Sequence, residues 1–427
     1  MLTGMEQRVV VVGGGAIGAC VALEVARRGG RPIVLEREAE LGWGCSAGNA
    51  GVLCPSHATP LANPAALRQG IRWLLEPASP LALRPRPAIV PWLARFAAAS
   101  TPRRAAAGTR TIRALSSASL ELHAALADEG LDTGFERRGV LNVYETEAGL
   151  TAGQEEAAAN AAAGLRPETL DAAEARELEP ALGGAVAGAV HYADEAHCEP
   201  LRFVQAVGAA AVEAGAELRT RTEAIGLRLD AGGTPVVETT AGDVPADAVV
   251  LAARAWTPRI ARSLGLFLPV EGGKGYHVEL EPGRSDPHLP VFLQEARVIA
   301  TPLPGRVRLA GTLELSGTDL AVDRRRVDAV LASGRRVLPA LAGRRTRSIW
   351  RGLRPCTPDG LPLVGPAPAT DQVVVATGHA MMGLTLAPVT GRLVAELLAG
   401  EEPSHDVAPL RPDRFRPLLP AWARARR

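Results

Sequence analysis

The stretch RVVVVGGGAIGACVALEVARRGGRPIVLERE, residues 8–38, decides the fold. Val9–Val12 is an uninterrupted apolar run, as a strand buried on both faces requires. Gly13, Gly15 and Gly18 then spell G-x-G-x-x-G. From Ala16 onward, Ile17, Val21, Val25 and Ala26 recur at helical spacing, and Gly29-Gly30 ends the helix. PIVLE is a second strand and closes on Glu36. In such a unit Gly13 permits a tight turn, Gly15 lets backbone approach a pyrophosphate, and Gly18 lets helix and strand pack closely. The helix N-terminus turns free N–H groups and its positive dipole end toward phosphates. Glu36 follows Gly18 at the distance of an acid that accepts ribose hydroxyls, and it disfavours a 2′-phosphate, which argues against NADP. The unit predicts dinucleotide binding on an α/β, Rossmann-like fold. It does not separate NAD from FAD.

The rest of the chain sets bounds. Its 427 residues predict two domains, perhaps interleaved in sequence. Aromatics make up 4%, so the core is built mainly from Ala, Val and Leu. A net charge of +1 lacks the basic face that nucleic acid requires, and no nucleic-acid partner is expected. Five cysteines (Cys20, Cys45, Cys54, Cys198 and Cys356) form no C-x-x-C pair, which fits free thiols in a reducing, cytoplasmic setting. The N-terminus does not read as a signal peptide. No apolar run reaches the ~18 residues of a membrane span. The terminal AWARARR is basic and short; a contact with the inner face of a membrane and a frayed tail are both readings of it.

Further along, GCSAGNAGVLCPSHATPLANP (44–64) is small, polar and Gly-rich, suited to lie flat against a planar ligand. ADAVVLAARAWTPRI (246–260) is a strand running into a turn. Near the end, QVVVATGHAMMGLTLAPVTGRLVAELLAG (372–400) is again buried strand, Gly-containing turn and helix, with Ala387, Leu393, Val394, Leu397 and Leu398 mainly on its apolar side. EEAAANAAAGLRPETLDAAEARELEP (155–180) reads as two exposed helices. In HYADEAHCEP (191–200), His191, His197 and Glu199 fit no standard ligand spacing, and no metal is expected.

With these pieces in place, the chain resembles the flavin-dependent amine oxidoreductases: D-amino-acid dehydrogenase small subunits, glycine oxidase, sarcosine oxidase and D-amino-acid oxidase. The likeness runs from Arg8 to about Pro403. It rests on GGGAIG, SAGNAG, GKGY, RLAGTLEL, GLRPCTPDGLPLVGP and ATGHAMMG. PSHATPLANP and RPCTPDG look most like the D-amino-acid dehydrogenase branch. The resemblance implies non-covalent FAD in a discontinuous domain of residues 6–60, 197–266 and 350–402. Residues 75–196 and 267–349 would form a mixed-sheet α+β substrate domain with helical insertions, and 403–427 a C-terminal tail. It places FAD against Gly13, Gly15, Ala16, Ile17, Gly18, Glu36 and Arg37, then Ser46, Asn49, Ala50, Gly51 and Val52. Further contacts fall on Ala224, Ala253 and Trp256, and on Gly378, His379, Met381, Met382, Gly383, Leu384 and Thr385.

For the chemistry, the resemblance sets Arg354 in the place of the arginine that binds the substrate carboxylate. A guanidinium fork suits a carboxylate, and the apolar, Pro-flanked context of GLRP argues against a surface position. His379 opens the flavin-side turn. Glycine oxidase carries an arginine two residues beyond this histidine; here that place holds Met381, which shifts expectation from glycine toward larger or cyclic D-amino acids. Tyr276 and His57 are weaker candidates. Lys274 is the sole lysine among 47 Lys+Arg residues. GGKGYHVEL reads as a loop entering a strand, with Tyr276 and Val278 on one face and His277 and Glu279 on the other. Lys274 can hold a water near the flavin, orient substrate, pair with an acid, or be a codon survivor where either cation serves. The implied activity is oxidative deamination of a D-amino acid, D-proline and hydroxy-D-proline among them, with electrons passed to a quinone or other acceptor. An oxygen-using oxidase and a flavoprotein subunit of a heteromeric dehydrogenase remain alternatives, as do homo- and hetero-oligomers.

Overall fold

Val9–Val12 lies in the strand Arg8–Val12, whose residues from Val9 on are buried. It is the inner strand of a six-stranded sheet. On one side it pairs in parallel with Arg31–Leu35, which in turn pairs with Glu217–Arg219. On the other it pairs with Ala248–Leu251 and, through that strand, with Thr370–Thr377. Leu363–Ala367 closes the edge antiparallel. The structure is a computed structural model that describes residues 7–73, 79–368 and 370–415. AWARARR, with the membrane contact expected for it, lies outside the described residues.

The helix Ala16–Arg27 follows the glycine turn and packs between Pro200–Glu213 and Ala387–Ala399. Gly13 takes φ +111°, and a Cβ there would meet the Ala252 carbonyl oxygen at 2.7 Å. Only glycine fits this turn. A Cβ on Gly18 would strike the Gly13 carbonyl oxygen, which explains the third glycine of the motif. Small residues let the helices approach: a Cβ on Gly391 would meet the Cys20 carbonyl at 2.7 Å, and Ala19 and Ala22 are buried in the same core.

A second, nine-stranded sheet carries the other core. Its strand order from one edge is Thr346–Cys356, Glu271–Leu280, Arg306–Leu315, Val298–Leu303, Val291–Leu293, Val140–Tyr144, Gly188–Tyr192 and Pro167–Asp171, with Leu81–Leu83 also paired to Arg306–Leu315. Two local expectations change. PETLD, read inside a helical pair, is an edge strand, although Glu147–Ala162 and Ala172–Leu178 on either side are helices. Strand pairing with Gly188–Tyr192 overrides the local pattern. GGKGY is not a loop but the first half of the strand Glu271–Leu280, which is hydrogen-bonded on both sides. Residues 350–356, expected with the FAD-binding segments, belong to a strand of this second sheet.

Candidate active site

A cleft of about 1260 Å³ runs between the two sheets. Its near wall is the dinucleotide turn. Gly15, Ala16 and Ile17 line it, and the Ser46 hydroxyl accepts the Ala16 amide at 3.0 Å. Next come Ser46, Asn49, Ala50 and Val52 from the small-residue loop. The far end is built by the turn His379–Gly383 with Leu384, Thr385 and Leu386. The structure thus gathers two segments from near the N-terminus and a third more than 300 residues further along the chain. Asn49 ties two of them, donating from Nδ2 to the Met381 carbonyl at 3.3 Å. Met382 and Gly383 lie on the same wall.

Other expected contacts stand behind or beside the wall. Gly13, Gly18, Gly51 and Gly378 shape its turns rather than face the cleft; Gly51 and Gly378 take positive φ. Glu36 is buried, and its two oxygens accept the amides of Gly14 at 2.9 Å and Glu38 at 3.0 Å. Its carboxylate therefore fixes the turn, with the Arg254 guanidinium 3.7 Å away. Arg37 stacks over the Trp256 ring at 4.3 Å. Ala224 starts a strand of a separate three-stranded sheet and, like Ala253, does not line the cleft.

The floor is the cleft face of the nine-stranded sheet. Arg354, Trp350, Thr312, Ala310, Ile299 and Phe292 follow one another across it. Arg354 donates from Nη1 to the Thr312 carbonyl at 2.6 Å and forms no ion pair with a carboxylate among the described residues. Burial lowers its pKa from the ordinary guanidinium value. On the neighbouring strand, two residues beyond Gly273 that pairs with Arg354, is Gly275, where a Cβ would meet the Arg354 guanidinium at 2.2 Å. The glycine of GKGY clears room for the arginine.

His57 lines the cleft from the turn Pro55–His57, packed on Phe292 with ring centroids 4.8 Å apart. Its Nε2 meets Asn142 Oδ1 at 3.2 Å, and burial pushes it down to about 4. His379 lines the other end and is held at about 3 by burial, with Nε2 against the Thr390 hydroxyl at 3.1 Å. Both rings are neutral near pH 7.

Lys274 and Tyr276 are not brought to the cleft. They occupy the opposite face of the sheet, Tyr276 in one core with Val327 and Val330 of the helix Arg324–Val337 and Lys274 against Glu314 and residues 319–321 that precede it. Lys274 is 1% exposed and meets Glu314 at 3.1 Å, Asp319 at 3.2 Å and the Ala321 carbonyl at 2.8 Å. Burial works to lower its pKa, but Glu314 and Asp319 outweigh that and hold it above the ordinary value. Of the roles open to it, pairing with acids is the one the geometry presents. Tyr276 donates to Glu314 at 3.0 Å and accepts the Asp323 amide at 3.2 Å. His191 lies near Glu168, and Glu199 caps the helix Pro200–Glu213 through the Arg202 amide.

Sequence reading missed Trp350, Thr312, Arg254 and Cys45 on the cleft wall. Thr312 and Arg254 take positive φ, which no residue-type signal announces. Cys45 donates to the Leu353 carbonyl at 2.6 Å.

Residues 8–397 match the family model described as FAD dependent oxidoreductase. The chain belongs to this family. A D-amino acid dehydrogenase of Methylobacterium nodulans is 35% identical over 93% of this chain and 96% of its own length. A D-amino-acid oxidase of Bradyrhizobium diazoefficiens is 32% identical over 96% of this chain and 99% of its own. The crystal structure of glycine oxidase from Geobacillus kaustophilus superposes with a TM-score of 0.79 at 28% identity, covering 96% of this chain and all of that one. As a member of the family the protein is an FAD-dependent oxidoreductase. The cleft fits that cofactor: its wall offers a helix N-terminus and backbone amides without protein acceptors, and its length spans from the glycine turn to the His379 turn. Among the described residues no helix is long and apolar enough to cross a membrane.

Proposed function

We propose that the protein oxidises a D-amino acid at its α-carbon and that Arg354 binds the substrate carboxylate. The observation that carries this reading is a partly buried guanidinium with, among the described residues, one neutral hydrogen-bond partner and no carboxylate of its own. A buried cation without a counter-ion costs free energy that a bound anion recovers. Relatives named for D-amino acids, at 32–35% identity over nearly their whole lengths, supply the substrate class.

Nη1 of Arg354 is held by Thr312, which leaves its outer N–H groups for a carboxylate. Gly275 leaves the room that the guanidinium itself occupies. His57 and His379 stay neutral, so neither competes for the carboxylate nor repels the amino group. Bound FAD supplies the acceptor for the hydride that leaves the α-carbon. The amine loses a proton to water as the C=N bond forms; water then hydrolyses the imine of a primary amine to a 2-oxo acid and ammonia, whereas a cyclic amine such as D-proline gives a cyclic imine and releases no ammonia. Met381 in the His379 turn adds an apolar side chain where glycine oxidase has an arginine, which favours substrates larger than glycine, D-proline and hydroxy-D-proline among them. FAD is held without a covalent bond, and electrons leave to a quinone or another acceptor. The relative named an oxidase favours oxygen as a second reading.

The test is anaerobic addition of D- and L-amino acids, D-proline, cis-4-hydroxy-D-proline, sarcosine and glycine to the holoprotein. Bleaching of the flavin by a D-amino acid and not its L-isomer is expected. A flavin reduced only by L-isomers, or by none of the panel, contradicts the proposal. Reoxidation by air set against reoxidation by a soluble quinone then separates the two acceptors.

A further inference from the structure

We propose that Arg308 is a positioning residue for the cofactor: reaching from the nine-stranded sheet, it holds the carbonyl edge of loop 46–51 so that the loop's amide edge faces the cleft. Arg308 is 3% exposed. Its Nη1 donates to the carbonyls of Ala47 at 2.8 Å and Asn49 at 2.6 Å. The carbonyl between them, of Gly48, meets Nδ1 of His277 at 3.2 Å. A carbonyl only accepts, so this nitrogen carries the proton. Three consecutive carbonyls are thus claimed by side chains of one sheet face.

The consequence follows from peptide geometry. In a planar trans peptide the C=O of one residue and the N–H of the next point opposite ways. Fixing the Ala47 and Asn49 carbonyls toward the sheet aims the Gly48 and Ala50 amides away from it. Both residues line the cleft, and among the described residues neither amide donates to a protein acceptor. The Asn49 amide, by contrast, is taken up by the Ser46 carbonyl at 3.0 Å. Two amides without protein acceptors on the cleft wall suit the electron-rich oxygens of a bound dinucleotide.

Arg308 is itself held. Its Nη2 donates to Glu279 Oε1 at 2.7 Å, which also accepts Arg306 Nε at 2.7 Å. Burial works to raise the pKa of Glu279, but the two guanidiniums outweigh it and bring the carboxyl down to about 2. Arg306 continues to Glu199 at 2.6 Å. The charge balance of Arg308 therefore lies within the protein, and its task is orientation. A lysine at this place brings one compact ammonium, not a planar group that reaches two carbonyls and a carboxylate together.

The test compares holoprotein of the wild type with Arg308→Met and Arg308→Lys. Each is diluted, and released FAD is read by its fluorescence; thermal midpoints are recorded at rising FAD concentration. Arg308→Met is expected to weaken FAD binding at least about tenfold and to shrink the FAD-dependent rise in midpoint, with Arg308→Lys between the two. A lower midpoint without FAD, together with wild-type FAD affinity, reveals a merely structural role and overturns the proposal. If Arg308→Met does not fold, Arg308→Lys decides: wild-type retention of FAD in that variant overturns it too. The inference rests on the family's cofactor and stands apart from the identity of the substrate.

Discussion

Lys274 and Arg354 sit one residue out of register on adjacent antiparallel strands, Lys274 opposite Leu353 and Gly273 opposite Arg354. Their side chains leave the sheet on opposite faces. Both are cations removed from bulk water. On the helix side Lys274 is met by Glu314, Asp319 and a carbonyl. On the cleft side Arg354 has, among the described residues, a single carbonyl. The sheet thus holds one cation whose anions are built in and one whose anion must arrive. A buried charge with its partners supplied is a structural element; the same charge left short of them marks a binding site.

The largest expected effect tests the short-handed cation. Arg354→Ala raises KM about 1000-fold, as loss of a desolvated charge partner does, while the holoprotein keeps its FAD; steady-state kinetics and the flavin spectrum check both halves. Lys274→Met sharpens the contrast from the other side. It leaves Glu314 and Asp319 facing each other and lowers unfolding free energy by about 3 kcal/mol in denaturant titration, with KM per bound flavin unchanged. A raised KM with normal stability would reverse the roles assigned to the two faces. Gly275→Ala is smaller: the new methyl displaces the Arg354 guanidinium and raises KM about tenfold without loss of FAD.

The smallest effect is a pH slope. Burial holds His57 at about 4 and His277 and His379 at about 3, below their ordinary 6.5. The unfolded chain then binds more protons than the folded one between pH 6.5 and about 3. Stability is accordingly greatest above 6.5 and falls as pH drops through that window. Glu279, at about 2 against an ordinary 4.5, adds a further loss below pH 4.5. His277→Gln makes the midpoint-versus-pH curve shallower between pH 6.5 and 3.5; an unchanged slope would mean that His277 is not buried neutral.

The cofactor half of the molecule was legible because its signals are local. Val9–Val12, the three glycines and Glu36 lie within one βαβ unit, and the structure displays a reason for each: burial for the valines, close approach for the glycines and two accepted amides for Glu36. The likeness of GGGAIG, SAGNAG and ATGHAMMG pointed to the walls of one cleft. The substrate half was less legible because its logic runs across strands. Nothing within residues 271–280 tells that Gly275 makes room for Arg354, or that Lys274 faces Glu314 and Asp319. Alternation gave Tyr276 and His277 opposite faces, but not which face meets the cleft. Arg308 is one of many arginines in sequence, and only the fold places it on the carbonyls of Ala47 and Asn49.

The central claim is that Arg354 receives the substrate carboxylate. Its most direct test is the rate of anaerobic flavin reduction in wild type and Arg354→Ala, each with a reactive D-amino acid and with the amine that lacks its carboxylate. The account predicts that the wild type strongly prefers the acid and that the variant, with FAD still bound, loses that preference. A variant that retains the wild-type preference would contradict it.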